Sequence, residues 1–424
     1  METTAELPRE IVDLLVNPRS FEDLSALDEA LGWVRREMPL AVARHPDYRP
    51  FWLISRYHDL RDASRRNDTF LNGAREVQLF SLEGEAVRQQ ASGGGTHIYR
   101  ALTRMDDREH SEHRRLTQGW FMPSRVKQLE PVIRGMAVKL IDRMIAMGGE
   151  CDFVQDVALI YPLHVIMTIL GMPEQDEPLM LRLTQALFGA SDPEFSNLQD
   201  GKTPAERGVE AISEFMAYFE KVTADRRANP RDDLASVIAN ARIGGEYLDY
   251  PALMGYYIIA ATAGHDTTSY TLSEGALALA ERPDLLVRLR DQPKAMGGFI
   301  EETIRWASPV KHFMRTATCD TELGGQKISQ GDWLMLCYHS ANRDESVFDD
   351  PFTFNIDRTP NEQVGFGYGG HQCLGQHLAR LELRIFWEEF VARVSGLDLS
   401  APGRRTVSNF VTGLKTLPIR FLPA

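Results

Sequence analysis

The chain has 424 residues, 43% hydrophobic and 25% charged, with a formal net charge of −13. That balance is ordinary for a folded globular protein, and the negative charge argues against nucleic acid as a partner. Cys151, Cys319, Cys337 and Cys373 show neither CxxC nor zinc-ligand spacing, which excludes a disulfide framework and a zinc site on sequence grounds.

Residues 1–24 are polar and acidic, with no apolar signal region and no membrane span. A first β-like run, PFWLISR, covers 50–56. The polar stretch 70–100, with Gly93, Gly94 and Gly95 in it, reads as a long functional loop. In 106–121, His110 and Arg114 are four apart and project from one helix face. Amphipathic spacing then predicts helices over 125–148, 153–170 and 205–226.

Residues 251–282 are nearly all apolar or small, with Pro251 at the entry and Pro283 just beyond the exit. One central helix of about 30 residues, hence ~45 Å, is predicted there. Its middle, Ala263-Gly264-His265-Asp266-Thr267-Thr268, is a poor helix former. Back-bonding of the hydroxyls, merely bending a buried helix, is one reading. A local opening at a functional site is the other.

Glu302 and Arg305 share a helix face, which by itself marks only an ion pair. A second β-like run spans 332–338 and a third 417–422. Between these last two lies Phe366-Gly367-Tyr368-Gly369-Gly370-His371-Gln372-Cys373-Leu374-Gly375. Its glycines let the backbone pass close to a flat ligand. Leu378, Leu381, Ile385, Phe386, Phe390 and Val394 follow at helical spacing, so a helix is predicted over 373–394. Cys373 then sits at a helix N-terminus, where N–H groups and the macrodipole favour a thiolate. An isolated cysteine is more often a buried structural residue. Strands toward both ends of a helical middle give an α+β chain with helix in the majority. No Gly/Ser or Pro tract divides the chain and no repeat is evident, so one domain over 1–424 is expected.

The loop spacing Phe-Gly-x-Gly-x-His-x-Cys-x-Gly resembles the haem-binding signature of the cytochrome P-450 monooxygenases at every defining position, and further landmarks occur in family order from residue 50 to the C-terminus. The resemblance implies the triangular-prism fold, mainly α with small β-sheets, its central helix lying over haem b. It implies Cys373 as the axial metal ligand, and Asp266 and Thr267 as the acid–alcohol pair that delivers protons and activates O2. It carries His110, Arg114, Arg315 and His371 onto the haem propionates, with Phe366, Gly375, Ala263 and Gly264 as further haem contacts. Glu302, Arg305 and Arg358 become a buried structural cluster, although FNIDRTP keeps the family wording around Arg358 only in part.

Further wording, such as ATAGHDTTS and CLGQHLA, resembles the bacterial branch that includes the α-terpineol monooxygenase. That implies a small hydrophobic substrate, terpenoid or alkylaromatic, held by the 70–100 loop, Ala260, Ala263, Val310, Phe313, Phe410 and Val411. It implies a two-iron ferredoxin with its NAD(P)H-dependent reductase, docking on Arg108, Arg115 and Arg380. The absence of the anchor that microsomal relatives carry implies a soluble, cytoplasmic chain. A haem-thiolate binder without turnover and a peroxide-driven peroxygenase are the competing readings; the Asp266–Thr267 pair favours the monooxygenase.

Overall fold

The computed structural model describes residues 5–195 and 201–424. About 54% of the chain is helical, so helix is in the majority as expected. The run at 50–56 belongs to strand Tyr48–Ile54, paired antiparallel with Leu40–His45. The run at 332–338 is strand Trp333–Cys337, parallel to Tyr48–Ile54 and antiparallel to His312–Ala317. Phe70–Leu71 completes this five-stranded sheet. Strand Trp333–Cys337 is buried along its whole length, which is why it reads as a continuous apolar run. The C-terminal run forms Pro418–Pro423, between Val394–Leu399 and Glu150–Asp152.

The helix expected over 125–148 is two, Pro123–Gln128 and Glu130–Ile145, because Pro131 fits only the first turn of a new helix. That over 153–170 opens with a π-turn, Val154–Ala158, before Ile160–Leu170. Pro204–Ala228 starts from a capping box of Thr203 and Glu206. The helix after the cysteine loop is Gln376–Arg393, so Cys373 precedes its first turn rather than lying within it.

The central helix is not continuous. It divides into Tyr250–Ala263 and Asp266–Glu281, with Gly264 and His265 between them. The Asp249 side chain caps the first half by accepting from the Ala252 N–H at 2.9 Å. At the break Thr267 Oγ1 donates to the Ala263 carbonyl at 2.7 Å, taking up an acceptor near the first half's end.

The stretch 70–100 is not one loop either. Ser81 caps a helix, Leu82–Ala91, and a buried carboxylate fixes the segment beneath it. Glu76 takes Arg88 at 2.7 Å and Arg104 at 3.3 Å. Burial alone would raise the Glu76 pKa; the two arginines and His97 hold it well below the carboxylate range. The segment is also tied to the sheet, since His312 Nε2 accepts the Leu79 N–H at 3.1 Å. The other ring nitrogen of His312 lies 3.1 Å from the Asn409 carbonyl, which can only accept. The ring is therefore neutral, with its proton on Nδ1.

A second buried network joins the helices to the cysteine loop. The Glu302 carboxylate accepts from Arg305 at 2.7 and 2.8 Å, Arg358 at 3.2 Å, Asn361 at 3.0 Å and the Asn355 N–H at 2.8 Å. Arg305 continues to the Asn342 carbonyl at 2.8 Å, and Asn342 Oδ1 accepts the Val364 N–H at 2.8 Å, at the entrance to the cysteine loop. Arg358 is thus the third member of the cluster, despite the weak wording around it.

Removing the carboxylate would leave Arg305 charged and buried. Glu302→Ala should lose about 3–5 kcal/mol of stability. Arg358→Ala should lose less, since Arg305 still neutralises Glu302. An unshifted urea midpoint for Glu302→Ala would refute the load assigned to this cluster.

His312 predicts a pH dependence. Burial depresses its pKa from the ordinary 6.5 to about 4, against a small opposing effect of its bond to Asn409. Its contribution is complete above pH 6.5 and is lost as pH falls through about 4, because only the unfolded ring then protonates freely. His312→Gln should flatten the loss of stability between these pH values by on the order of 3 kcal/mol. Urea midpoints at several pH values in that window, compared with wild type, measure it.

Candidate haem-thiolate site

Most of the sequence candidates converge on one internal cavity of about 270 Å³. One wall is the broken central helix, through Ala260, Ala263, Gly264 and Thr267. The facing wall is the cysteine loop, through Phe366, Gly367, His371, Cys373 and Gly375. His110, Arg114 and Arg315 close one edge, and Val310 and Phe313 another.

The loop is held open by its own backbone. Cys373 N–H donates to the Phe366 carbonyl at 2.8 Å, closing the turn that presents the sulfur. Gly369 has φ +73°, and a Cβ there would stand 2.2 Å from the Ser64 carbonyl oxygen, so only glycine lets the loop dock on helix Tyr57–Arg65. The sulfur faces the cavity, yet protein surrounds it, and this burial raises the thiol's pKa. The N–H groups of Gly375 and Gln376 and the charges of Arg114 and Arg380 pull it back down. Cys373 therefore receives helix N-terminal donors although the helix proper begins at Gln376.

Among the described residues no carboxylate forms an ion pair with the basic groups at the edge of the cavity. His110 and His371 stack with centroids 3.9 Å apart, and Arg114 and Arg315 share the same surface. Burial and the neighbouring cations push His110 down to about 4 and His371 to about 2. Burial also lowers both arginines. His110 Nε2 is buried without a hydrogen-bond partner among the described residues. Four basic groups that depress or desolvate one another fit a ligand bearing two carboxylates. A macrocycle with two such side chains would meet that demand, with Cys373 to hold its metal. A Cβ at Gly264 would touch only Ile166 outside its own helix, at an ordinary contact distance of 3.8 Å.

Asp266 does not line the cavity. Its carboxyl turns into the core, fully buried beside His265, and burial raises its pKa while His265 opposes this. Phe410 and Val411 also fall short of the cavity surface. Phe410 packs on Phe313 at 5.5 Å between centroids, and Val411 bridges to Val310, so both back the wall instead of forming it. Lys311 and His312 are buried away from the cavity, and only Asn72 of the 70–100 segment lines it. Apolar walls that the sequence left unmarked come from Leu102, Ile166, Leu234, Ile238 and Ile259, whose helical spacing is indistinguishable from that of core residues. Glu382 was also unmarked: a buried carboxyl in the cavity wall, its Oε2 without a partner among the described residues and its pKa well raised by burial.

Of the surface arginines, Arg108 and Arg115 are exposed on helix Asp107–Gln118. Arg380 is half spent: it pairs with Glu301 at 2.6 Å and lies over the Phe366 ring at 4.5 Å.

The family model for cytochrome P450 matches residues 84–398. Cytochrome P450-terp of Pseudomonas sp is 42% identical over 428 residues, covering 100% of each chain. Linalool 8-monooxygenase of Pseudomonas putida is 34% identical, over 92% of this chain and 94% of its own. Among solved structures, CYP108D1 from Novosphingobium aromaticivorans superposes with a TM-score of 0.92 at 43% identity, covering 99% of this chain and 100% of that one. Mycobacterium marinum CYP268A2, solved with pseudoionone, gives 0.86 at 30%, covering 99% of each.

Proposed function

The chain belongs to the cytochrome P450 family, whose members bind haem b and use O2 for monooxygenation, and from that premise we propose that it hydroxylates a small neutral hydrocarbon, with Cys373 as the metal ligand. The observation that carries the proposal is the opposition of a cysteine thiol and a broken helix across one cavity edged by unpaired basic groups. Thiolate-ligated haem supplies the oxygen-activating chemistry when bound, because electron density pushed onto the iron favours O–O cleavage. One oxygen atom goes to the substrate and the other leaves as water, which takes two electrons and two protons.

The residues of this chain supply position and protons. Cys373 Sγ would hold the iron as a thiolate, aided by the Gly375 and Gln376 N–H groups. His110, Arg114, Arg315 and His371 would bind the propionates. The Thr267 hydroxyl gives up its bond to the Ala263 carbonyl and donates into the cavity; Asp266 then restores the proton. Glu302, Arg305 and Arg358 keep the cysteine loop in place and take no part in the chemistry. The cavity draws its walls from residues 72 to 383, which supports one domain working as a unit.

A compact terpenoid or alkylaromatic substrate is supported by the apolar lining, Ala260, Ala263, Val310 and Phe313 with Ile166 and Ile238, and by relatives named for linalool and crystallised with pseudoionone. Electrons come from an acidic two-iron ferredoxin, with its NAD(P)H-dependent reductase, docking beside the exposed Arg108 and Arg115. Its first electron transfer should slow as salt rises. Among the described residues no helix is long and apolar enough to cross a membrane, which supports a cytoplasmic enzyme.

Cys373 is tested by spectroscopy. The reduced protein under carbon monoxide should give the red-shifted Soret band of thiolate ligation, and Cys373→His should lose it. A histidine-type spectrum in the wild type would end the reading.

The two members of the acid–alcohol pair should fail differently. Thr267→Ala should divert reductant to hydrogen peroxide. Asp266→Asn should slow turnover by about 10²-fold with less loss of coupling. Product formed per reductant consumed separates the two.

The substrate class is read from the spin state of the ferric haem. Monoterpenes and alkylbenzenes should shift it toward high spin. A response confined to steroids or long fatty acids would replace the proposed class.

A further inference from the structure

His265 lies in the break of the central helix and is completely buried, yet the chemistry above gives it no part. Its ring is held from two sides. Nε2 is 2.9 Å from the Leu159 carbonyl, and Nδ1 is 3.2 Å from Thr184 Oγ1 and 3.3 Å from Asp266 Oδ1. A carbonyl can only accept, so Nε2 carries a proton. The Thr184 hydroxyl already faces two carbonyl acceptors, Met180 at 3.1 Å and Leu181 at 2.9 Å. Both carbonyls compete with Nδ1 for its single proton, and Leu181 is the nearest of the three acceptors. A bare ring nitrogen facing a bare carboxylate oxygen in a dry core is repulsive. A proton belongs between Nδ1 and Oδ1.

We propose that His265 is the positioning residue for Asp266: together they hold one shared proton behind the helix break, with the acid turned away from the cavity until Thr267 draws on it. This rests on the reading of Asp266 and Thr267 as the proton-delivering pair. Burial favours residence of the proton on the carboxyl. Asp266 Oδ2 has no hydrogen-bond partner among the described residues, and a full negative charge there would be unsolvated. Among the described residues no arginine or lysine pairs with Asp266. The Tyr270 hydroxyl, turned to Thr406 at 3.1 Å, faces the acid from the next turn, and the Asp192–Lys415 pair lies beyond it. Whichever atom carries the proton, the pair binds the same number. His265 thus fixes both the direction of the acid and its protonation, because its Nε2 is locked on Leu159 and only Nδ1 is left to face it.

Two readouts test this on the holoenzyme. Infrared difference spectra should show the carbonyl stretch of a protonated, hydrogen-bonded carboxyl that disappears in Asp266→Asn. In His265→Gln, whose side-chain amide still reaches the Leu159 carbonyl, the band should move to higher frequency as the acid loses its acceptor. With the hydrocarbon giving the largest spin shift, turnover of His265→Gln should fall roughly tenfold, less than the ~10²-fold typical of losing the acid itself. KM and product per reductant should hold. His265→Leu should reproduce both effects; if it does not fold, His265→Gln alone carries the test. Absence of the band in wild type, a band indifferent to His265→Gln, or unchanged turnover in that variant would each overturn the proposal. If Asp266→Asn itself leaves turnover unchanged, the acid–alcohol reading falls instead, and the infrared band still decides whether the pair exists.

Discussion

The Glu302 carboxylate accepts from two arginines, one asparagine side chain and one backbone N–H, at a site from which water is excluded. Such a group is costly to bury and costly to break. Here its value is directional. Arg305 reaches the Asn342 carbonyl, and Asn342 reaches Val364, so helix Met296–Ala307 and the cysteine loop share one rigid set of hydrogen bonds. A glycine-rich loop has little conformational preference of its own. Its position must come from outside, and this network with the docking on Ser64 supplies it.

Across the cavity the opposite device operates. The loop is held in place by hydrogen bonds that are made, whereas the helix is held open by hydrogen bonds that fail to continue. Gly264 and His265 interrupt the ladder, and hydroxyls repair it locally: Thr267 to Ala263 and Thr271 to Thr267. Back-bonding and function are therefore not alternatives at this site. The same Thr267 hydroxyl that satisfies the broken helix belongs to a residue of the cavity wall. Asp266, the residue before it, points away from the cavity, because consecutive helical residues are about a hundred degrees apart.

The charge distribution divides in the same way. His110, His371, Arg114 and Arg315 crowd one edge, and among the described residues no carboxylate forms an ion pair with them, a demand for an anion. By contrast, Glu76 is matched within the protein by Arg88 and Arg104, and Lys415 by Asp192. The gathering of four basic groups at one edge marks the binding site, and no one of these residues would do so singly.

Local order along the chain determined the cysteine loop, the helix that follows it, the Glu302–Arg305 pair and the His110–Arg114 face. Each depends on spacings of three to ten residues that the periodicity of helices and the freedom of glycine fix directly. The central strands were legible for the same reason, as short apolar runs, whereas Leu40–His45 and His312–Ala317 depend on partners distant in sequence. Only the tertiary structure decided that the 70–100 segment folds over a buried Glu76, that Phe410 and Val411 stand behind Val310 and Phe313, that Glu301 offsets Arg380, and that Asp266 faces His265. These outcomes turn on desolvation and on contacts between residues tens to hundreds of positions apart. A carboxyl's orientation is set by which donors the folded core brings to it, and no local spacing encodes that.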